Sequence, residues 1–176
     1  RPTNVLGTRT LLRFCALGKI KPLHYISTIG VFHSYELAES GHGDELPESA
    51  STALLASLPT AYQQSKYVAE GLLARARERG MPVTVIRLGT IAGSGKTGRV
   101  NTSDFLVGLI ATAHQVGAMP VMRDLDFLPA DFTGQAIAAI ANDASACGKY
   151  FNLAHPRGLA IAAIGGLAVL FIRLFR

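Results

Sequence analysis

The sequence predicts an α/β fold, a doubly wound parallel sheet with helices on both faces, and three observations carry that prediction. Short apolar runs alternate with long amphipathic stretches. The run Pro82-Val-Thr-Val-Ile-Arg-Leu88 is β-branched and shows no polar alternation, as in a strand covered on both faces. The amphipathic stretches also open on capping residues and close on glycine or proline.

The elements follow in order. Thr3 or Asn4 can cap a helix running to about Leu17, with Gly18 as its stop. Val5, Leu12 and Cys15 give that helix one apolar stripe, widened by Leu6 and Leu11. Leu23 to Thr28 reads as a short buried strand. Residues 33 to 60 form a long connection rich in Gly, Ser, Glu and Pro, where function often resides. Pro59-Thr60 precedes a helix from about Ala61 to Arg79, ended by Gly80 and Met81-Pro82. Val83 to Ile86 is the next strand, and Gly89 to Asn101 a glycine-rich loop. Ser103-Asp104 caps a helix to about Val116 and Asp131 another to about Asn142, before a last strand over Lys149 to Leu153. There is no internal repeat.

Composition narrows the class. With 176 residues and 49% apolar content the chain can bury a sizeable core, and with 16% charged residues it is not a disordered tail. The net charge of +5 is unevenly placed: Pro22 to Ser65 holds no Lys or Arg but holds Glu36, Glu39, Asp44, Glu45 and Glu48. The remainder is therefore the more basic part, suited to an anionic dinucleotide or an acidic carrier protein. No basic patch interleaved with aromatics points to nucleic acid. Cys15 and Cys147 lie far apart without ligand spacing and read as unpaired, mostly buried thiols of an intracellular, cytoplasmic protein. The histidines show no metal-binding grouping, so no metal site is expected, and His24 is read as a core or edge residue of its strand. The chain enters directly at a helix start without a secretory or transit segment, which suggests a fragment.

The chemistry concentrates in Tyr62-Gln-Gln-Ser-Lys66, downstream of Leu23-His-Tyr-Ile-Ser-Thr28. Residues i and i+4 of a helix share a face, so phenol and ammonium can address one substrate. A neighbouring positive charge favours phenolate and is expected to lower the Tyr62 pKa. A hydroxyl at the strand end, from Ser27 or Thr28, supplies a second donor to a carbonyl oxygen. Taken singly, the same residues are an amphipathic surface helix and a strand-end hydroxyl bonding its own backbone; the spacing and the flanking strands favour catalysis.

Asn4-Val-Leu-Gly-Thr8, His24 to Thr28, Tyr62 to Lys66, Arg87-Leu-Gly-Thr-Ile-Ala-Gly93, Pro129-Ala-Asp-Phe132 and Tyr150-Phe-Asn-Leu-Ala-His-Pro156 fall in the order of a known family. The chain resembles the extended short-chain dehydrogenase/reductases. More narrowly, it looks like the terminal thioester-reductase domains of carboxylic acid reductases, aminoadipate reductases and nonribosomal peptide or polyketide assembly lines. The resemblance covers roughly residues 3 to 156. It implies a Rossmann-like sheet, of which this chain is the C-terminal half, with a small substrate-binding lobe. It implies NADPH as cofactor and a phosphopantetheinylated acyl or peptidyl carrier protein as partner. In it Tyr62 is the proton donor, Lys66 holds the nicotinamide ribose and lowers the tyrosine pKa, and Thr28 aligns with the catalytic hydroxyl. Leu88, Gly89, Thr90 and Ile91 pack against the nicotinamide. Asn4 and Ser27 stand as supporting residues, Asn4 being as readily a plain helix cap. The corresponding division is 1–90 for the catalytic half of the nucleotide-binding domain, 91–156 for the substrate lobe with the last strand, and 157–176 for an atypical tail.

The chain departs from the family pattern at two places. No strand and glycine-rich turn that would hold the cofactor pyrophosphate precedes Asn4, so weak NADPH binding is expected. Gly158 to Ile172 is 15 residues without a charge, flanked by Arg157 and Arg173, short of the roughly 20 a membrane span needs. A buried helix, an altered terminus or a translation of non-native sequence is favoured over a membrane anchor. Gly93-Ser-Gly-Lys-Thr-Gly98 fits GxGxxG without the acidic residue expected after a second strand, and it misses a P-loop by one residue. It reads as a turn into the substrate lobe. Two further readings compete: an extended-branch enzyme acting on a nucleotide sugar or hydroxysteroid, for which Phe32 stands where a tyrosine is common, and a non-catalytic truncated fragment, membrane-associated or not.

Overall fold

The structure is a computed structural model and describes residues 2–32, 48–49, 55–118 and 127–155. Its elements are helix α1 (Pro2–Ala16), strand β1 (Leu23–Thr28), 3-10 turns at Ile29–Phe32 and Leu55–Ser57, helix α2 (Ala61–Glu78) and strand β2 (Val83–Leu88). Strand β3 (Thr90–Ile91), helix α3 (Phe105–Val116), strand β4 (Phe127–Leu128), helix α4 (Ala130–Asn142), a 3-10 turn at Ala144–Ala146 and strand β5 (Tyr150–Leu153) complete them.

The chain divides into two compact units. The first runs to Gly89 and resumes over Ile137–Leu153; the second takes Thr90–Ala136 and the residues from Ala154 on. In the first, β1, β2 and β5 form a parallel sheet in that order, with Leu23 opposite Val83, Thr28 opposite Leu88, and Leu88 opposite Leu153. Parallel neighbours need a crossover, and α2 supplies it between β1 and β2. All six residues of the central strand β2 are buried, as its unalternating sequence predicts. Leu73 and Ala76 of α2 meet Val83, Val85 and Tyr150 in the core, with Leu12, Leu23, Tyr25 and Met81 packed around them. Full burial of a side chain of that size is worth about 1.5–3 kcal/mol.

Helix ends fall where local chemistry puts them. Thr60 caps α2 in a capping box, its hydroxyl accepting from the Gln63 N–H while the Gln63 amide oxygen accepts from the Thr60 N–H. Asp104 caps α3 by accepting from the Leu106 N–H at 2.9 Å, and Gly117 closes it at φ 71°, a left-handed value that suits glycine. α1 begins at Pro2, so Asn4 is inside the helix and is not its cap. α4 begins at Ala130, so Asp131, expected as its cap, lies in the first turn; its carboxylate accepts the Phe132 N–H at 3.1 Å and two amides from outside the helix.

In the second unit β3 pairs in parallel with β4, a two-residue bridge within what the sequence presents as loop. Cys15 is buried as expected, but Cys147 is exposed, because it follows the 3-10 turn before β5 instead of facing the core. Among the described residues no helix is long and apolar enough to cross a membrane, and no group of His, Cys, Asp or Glu is arranged to hold a metal ion. Most of the 33–60 connection and the apolar stretch after Arg157 lie outside the described residues.

Candidate active site

Tyr62, Lys66 and Glu70 recur every four residues on α2 and form one stripe. That stripe meets β1. The Lys66 Nζ donates to the Ile26 carbonyl at 2.8 Å and lies 4.8 Å from the centre of the Tyr25 ring. One turn on, Glu70 is buried and accepts from the Ser27 hydroxyl at 2.5 Å. The first turn of α2 reaches the end of β1 at Gly30, where an added Cβ would stand 3.0 Å from the Gln63 Cγ and 3.3 Å from the Thr28 Oγ1. A larger residue there would press on both side chains.

The two candidate hydroxyls divide as strand alternation requires. Ser27 is buried and its proton is given to Glu70. Thr28, half-buried at the strand end, accepts from the Gly30 N–H at 3.1 Å, which leaves its own O–H to donate. Asn4 acts through the backbone: its Nδ2 donates to the Ser65 Oγ at 2.8 Å, and Ser65 donates to the Tyr62 carbonyl at 2.7 Å. α1 is thereby tied to the turn that carries Tyr62. Thr8 is buried, and its hydroxyl donates to the Asn4 carbonyl at 2.6 Å.

The titration of the pair runs opposite to the expected direction. Tyr62 is exposed, at 43% of its surface, and the partial desolvation of its ring pushes its phenol up. Burial pushes the Lys66 ammonium down, with Glu70 acting in the other sense. The Lys66 charge is turned to the Ile26 carbonyl and the Tyr25 ring, so desolvation decides the phenol.

Sequence reasoning missed Glu70 and Arg87. Arg87 is fully buried in β2, and its Nε and Nη2 grip both Glu70 oxygens at 2.7–3.2 Å. Its guanidinium lies 4.5 Å from the Phe32 ring and 4.7 Å from that of Tyr150. The available signals were an arginine inside an apolar strand and a carboxylate continuing the Tyr62–Lys66 spacing.

Leu88 and Gly89 end β2, Leu88 beside Thr28 in register. Thr90 and Ile91 are β3, in the second unit. In that unit the Gly93–Gly98 loop folds back on itself, and its outward amides are already occupied. Those of Gly95 and Lys96 donate to the Asp131 carboxylate at 3.1 and 3.2 Å. A phosphate would have to displace that carboxylate.

Comparisons with known proteins agree on one family. The NAD-binding family model described as male sterility protein matches residues 1–137. The chain is 35% identical over 161 residues to the non-canonical nonribosomal peptide synthetase FrzA of a Cladobotryum species, covering 89% of this chain and 16% of that protein. It is 35% identical over 150 residues to the L-2-aminoadipate reductase of Schizosaccharomyces pombe, covering 80% of this chain and 10% of that one. Among solved structures, the terminal R domain of the myxalamid PKS-NRPS biosynthetic pathway superposes with a TM-score of 0.84 at 33% identity, covering 93% of this chain and 41% of that domain. The chain thus spans a small part of the curated relatives it matches.

Proposed function

Because the chain belongs to the NAD-binding family described as male sterility protein, we propose that it carries the catalytic half of an NADPH-dependent thioester reductase. Its substrate is an acyl or peptidyl thioester on the phosphopantetheine arm of a carrier protein. NADPH and such carriers are reagents of the cytoplasm, where we place the reaction. The observation that supports this most directly is the placement of Tyr62 and Lys66 on one face of α2, whose first turn meets β1 beside Thr28.

The residues fit one end of the cofactor. An ammonium has three N–H donors; one from Lys66 goes to the Ile26 carbonyl, and the others can hold the nicotinamide ribose hydroxyls. Leu88 and Gly89, at the carboxyl end of the sheet beside Thr28, would border the ring, where ligands of open α/β sheets bind. The Gly93–Gly98 amides, spent on Asp131, do not suit the pyrophosphate. When bound, NADPH supplies a hydride to the thioester carbonyl carbon.

The chain's own groups attend to the oxygen. The Thr28 hydroxyl and the Tyr62 phenol donate to it as negative charge builds, which lowers the barrier only if both donors are held in place beforehand. The Asn4–Ser65–Tyr62 backbone link and the capping box do that holding. A phenol pushed up by burial stays protonated at neutral pH, and so serves as the acid that neutralises the oxyanion. The hemithioacetal then collapses to an aldehyde and the free pantetheine thiol; a second round gives an alcohol.

Joined to the nucleotide-binding half of a relative, the chain should oxidise NADPH with an acyl-pantetheine thioester, and Tyr62→Phe should slow turnover by about 100-fold or more. Turnover by the phenylalanine variant at the parent rate would remove Tyr62 from the mechanism.

A further inference from the structure

The second unit contains a cavity of about 570 Å³ lined by Ile91, Val100, Leu106, Val107, Ile110 and Phe127. That volume is in the range of small-molecule sites. Its polar side chains are largely spent on local turns: Asp104 accepts from the Leu106 N–H, and Asn101 accepts from the Ser103 N–H at 3.1 Å. Hydrocarbon lines most of what remains, with Arg99 as a charged group on the wall.

One wall is the loop that resembles a phosphate turn. Gly93, Arg99 and Val100 face the cavity, and the loop is closed on itself: the Ser94 N–H donates to the Arg99 carbonyl at 2.8 Å and the Gly98 N–H to the Ser94 carbonyl at 2.9 Å. A Cβ on Gly93 would fall 2.6 Å from the Arg99 carbonyl oxygen and the Val100 Cγ1. Asp131 pins this loop from the far side. Its carboxylate receives the Gly95 and Lys96 amides and stands 3.4 Å from the Ser94 hydroxyl. It fills the concavity as a bound anion fills a backbone nest, and the donated amides, that of Gly95 first, hold its carboxyl below the usual aspartate range. The neighbouring Ala130 also lines the cavity and donates its N–H to the Gly93 carbonyl at 3.1 Å. Asp131 therefore sits at the seam between the loop and the start of α4.

We propose that Asp131 is a positioning residue that closes the Gly93–Val100 loop over this cavity, and that the closed cavity takes the hydrocarbon part of the acyl group, selecting long over short acyl chains. The identity of the ligand rests on the thioester-reductase reading; the clamp itself rests on the loop geometry.

The full chain can be titrated calorimetrically with the butanoyl, octanoyl and succinyl thioesters of N-acetylcysteamine, a measurement that needs no hydride transfer. Each further methylene buried should tighten binding by up to about fourfold, so octanoyl should bind at least tenfold more tightly than either butanoyl or succinyl. Asp131→Ala should remove most of that preference, while Asp131→Asn, which can still accept one amide, keeps part of it. Val107→Trp, which fills the cavity without touching the clamp, should abolish octanoyl binding. Equal affinities for butanoyl and octanoyl, or an alanine variant with the parent preference, would overturn the proposal. So would inorganic phosphate shifting the Gly95 and Lys96 amides of the parent chain, because the carboxylate would then be a weak occupant. An octanoyl preference without thioester reduction would sink the proposed function and leave the cavity assignment standing. Reduction without the preference would do the reverse.

Discussion

Replacing Arg87 with methionine is expected to destabilise the fold by about 3–5 kcal/mol, the usual cost of stranding one member of a buried ion pair. The intact pair is worth far less than that, because taking both charges out of water offsets most of their attraction. The loss comes from what stays behind. Glu70, 6% exposed at its side chain, would keep the Ser27 hydroxyl and lose the three close contacts from the guanidinium. Methionine keeps most of the aliphatic stem but lacks the guanidinium that lies over the Phe32 and Tyr150 rings, so the deficit combines the stranded carboxylate with those lost ring contacts. Against a total of about 5–15 kcal/mol for a domain of this size, little stability would remain. In urea titrations followed by circular dichroism, a loss near 4 kcal/mol should move the midpoint by about 2 M at a typical slope. Converting Glu70 to leucine in the same variant should recover much of the loss. A midpoint shift under about 0.5 M, or a double variant no more stable than the single, would refute the account of Glu70 and Arg87 as a mutually dependent pair.

Thr28→Val should depress turnover strongly, since it deletes the donor at nearly constant volume. Ser27→Ala should leave turnover nearly intact and lower stability by about 1 kcal/mol through the lost bond to Glu70; the opposite ranking would exchange their roles. The Lys66 ammonium is pushed down by burial, so the alkaline fall in kcat that follows its loss of charge should begin below the ordinary lysine range. Because the folded pKa of Lys66 is below its unfolded value, the unfolded chain binds more protons between the two. Stability should therefore rise with pH across that window, just below the ordinary lysine range, and a Lys66→Met variant should lack the rise. By itself the chain should show no micromolar affinity for NADPH in calorimetry; such affinity, abolished by a bulky residue at Gly95, would mean that the loop releases Asp131 to take phosphate.

The sheet and its helices were legible because each is written in local chemistry. Leu23–Thr28 and β2 stand out as apolar runs, Thr60 and Asp104 cap where they should, and Gly117 ends its helix in the conformation glycine allows. β3 and β4 were not legible: a two-residue parallel bridge leaves no periodicity to read. The stripe of Tyr62 and Lys66 could be read from spacing, but the direction of their titration could not, because it depends on how much water reaches them and on which carbonyl the ammonium finds. Glu70 and Asp131 were hidden for a similar reason. Glu70 is set by partners in β1 and β2, and Asp131 by a loop 35 and 36 residues earlier. Helix rules assigned Asp131 to its own N-terminus, where it does accept the Phe132 N–H at 3.1 Å, but the same carboxylate also holds the loop.

The order in which the sheet strands occur along the chain also has a kinetic meaning. β1, α2 and β2 are contiguous, but β5 joins them only after the second unit has intervened. Pairing Val85 with Tyr150 closes a loop of about 65 residues, little longer than the 60 that separate Leu23 from Val83, so each closure costs about 4 kcal/mol beyond the constant term. Both pairings should therefore follow local helix formation, which needs no long loop. The molecule carries its own reporter of the second pairing. It has no tryptophan and five tyrosines. Tyr150 is buried with the guanidinium of Arg77 4.5 Å and that of Arg87 4.7 Å from its ring. Its near-ultraviolet dichroism should switch on as β5 closes the sheet, separating that step from the earlier gain of helix seen in the far ultraviolet.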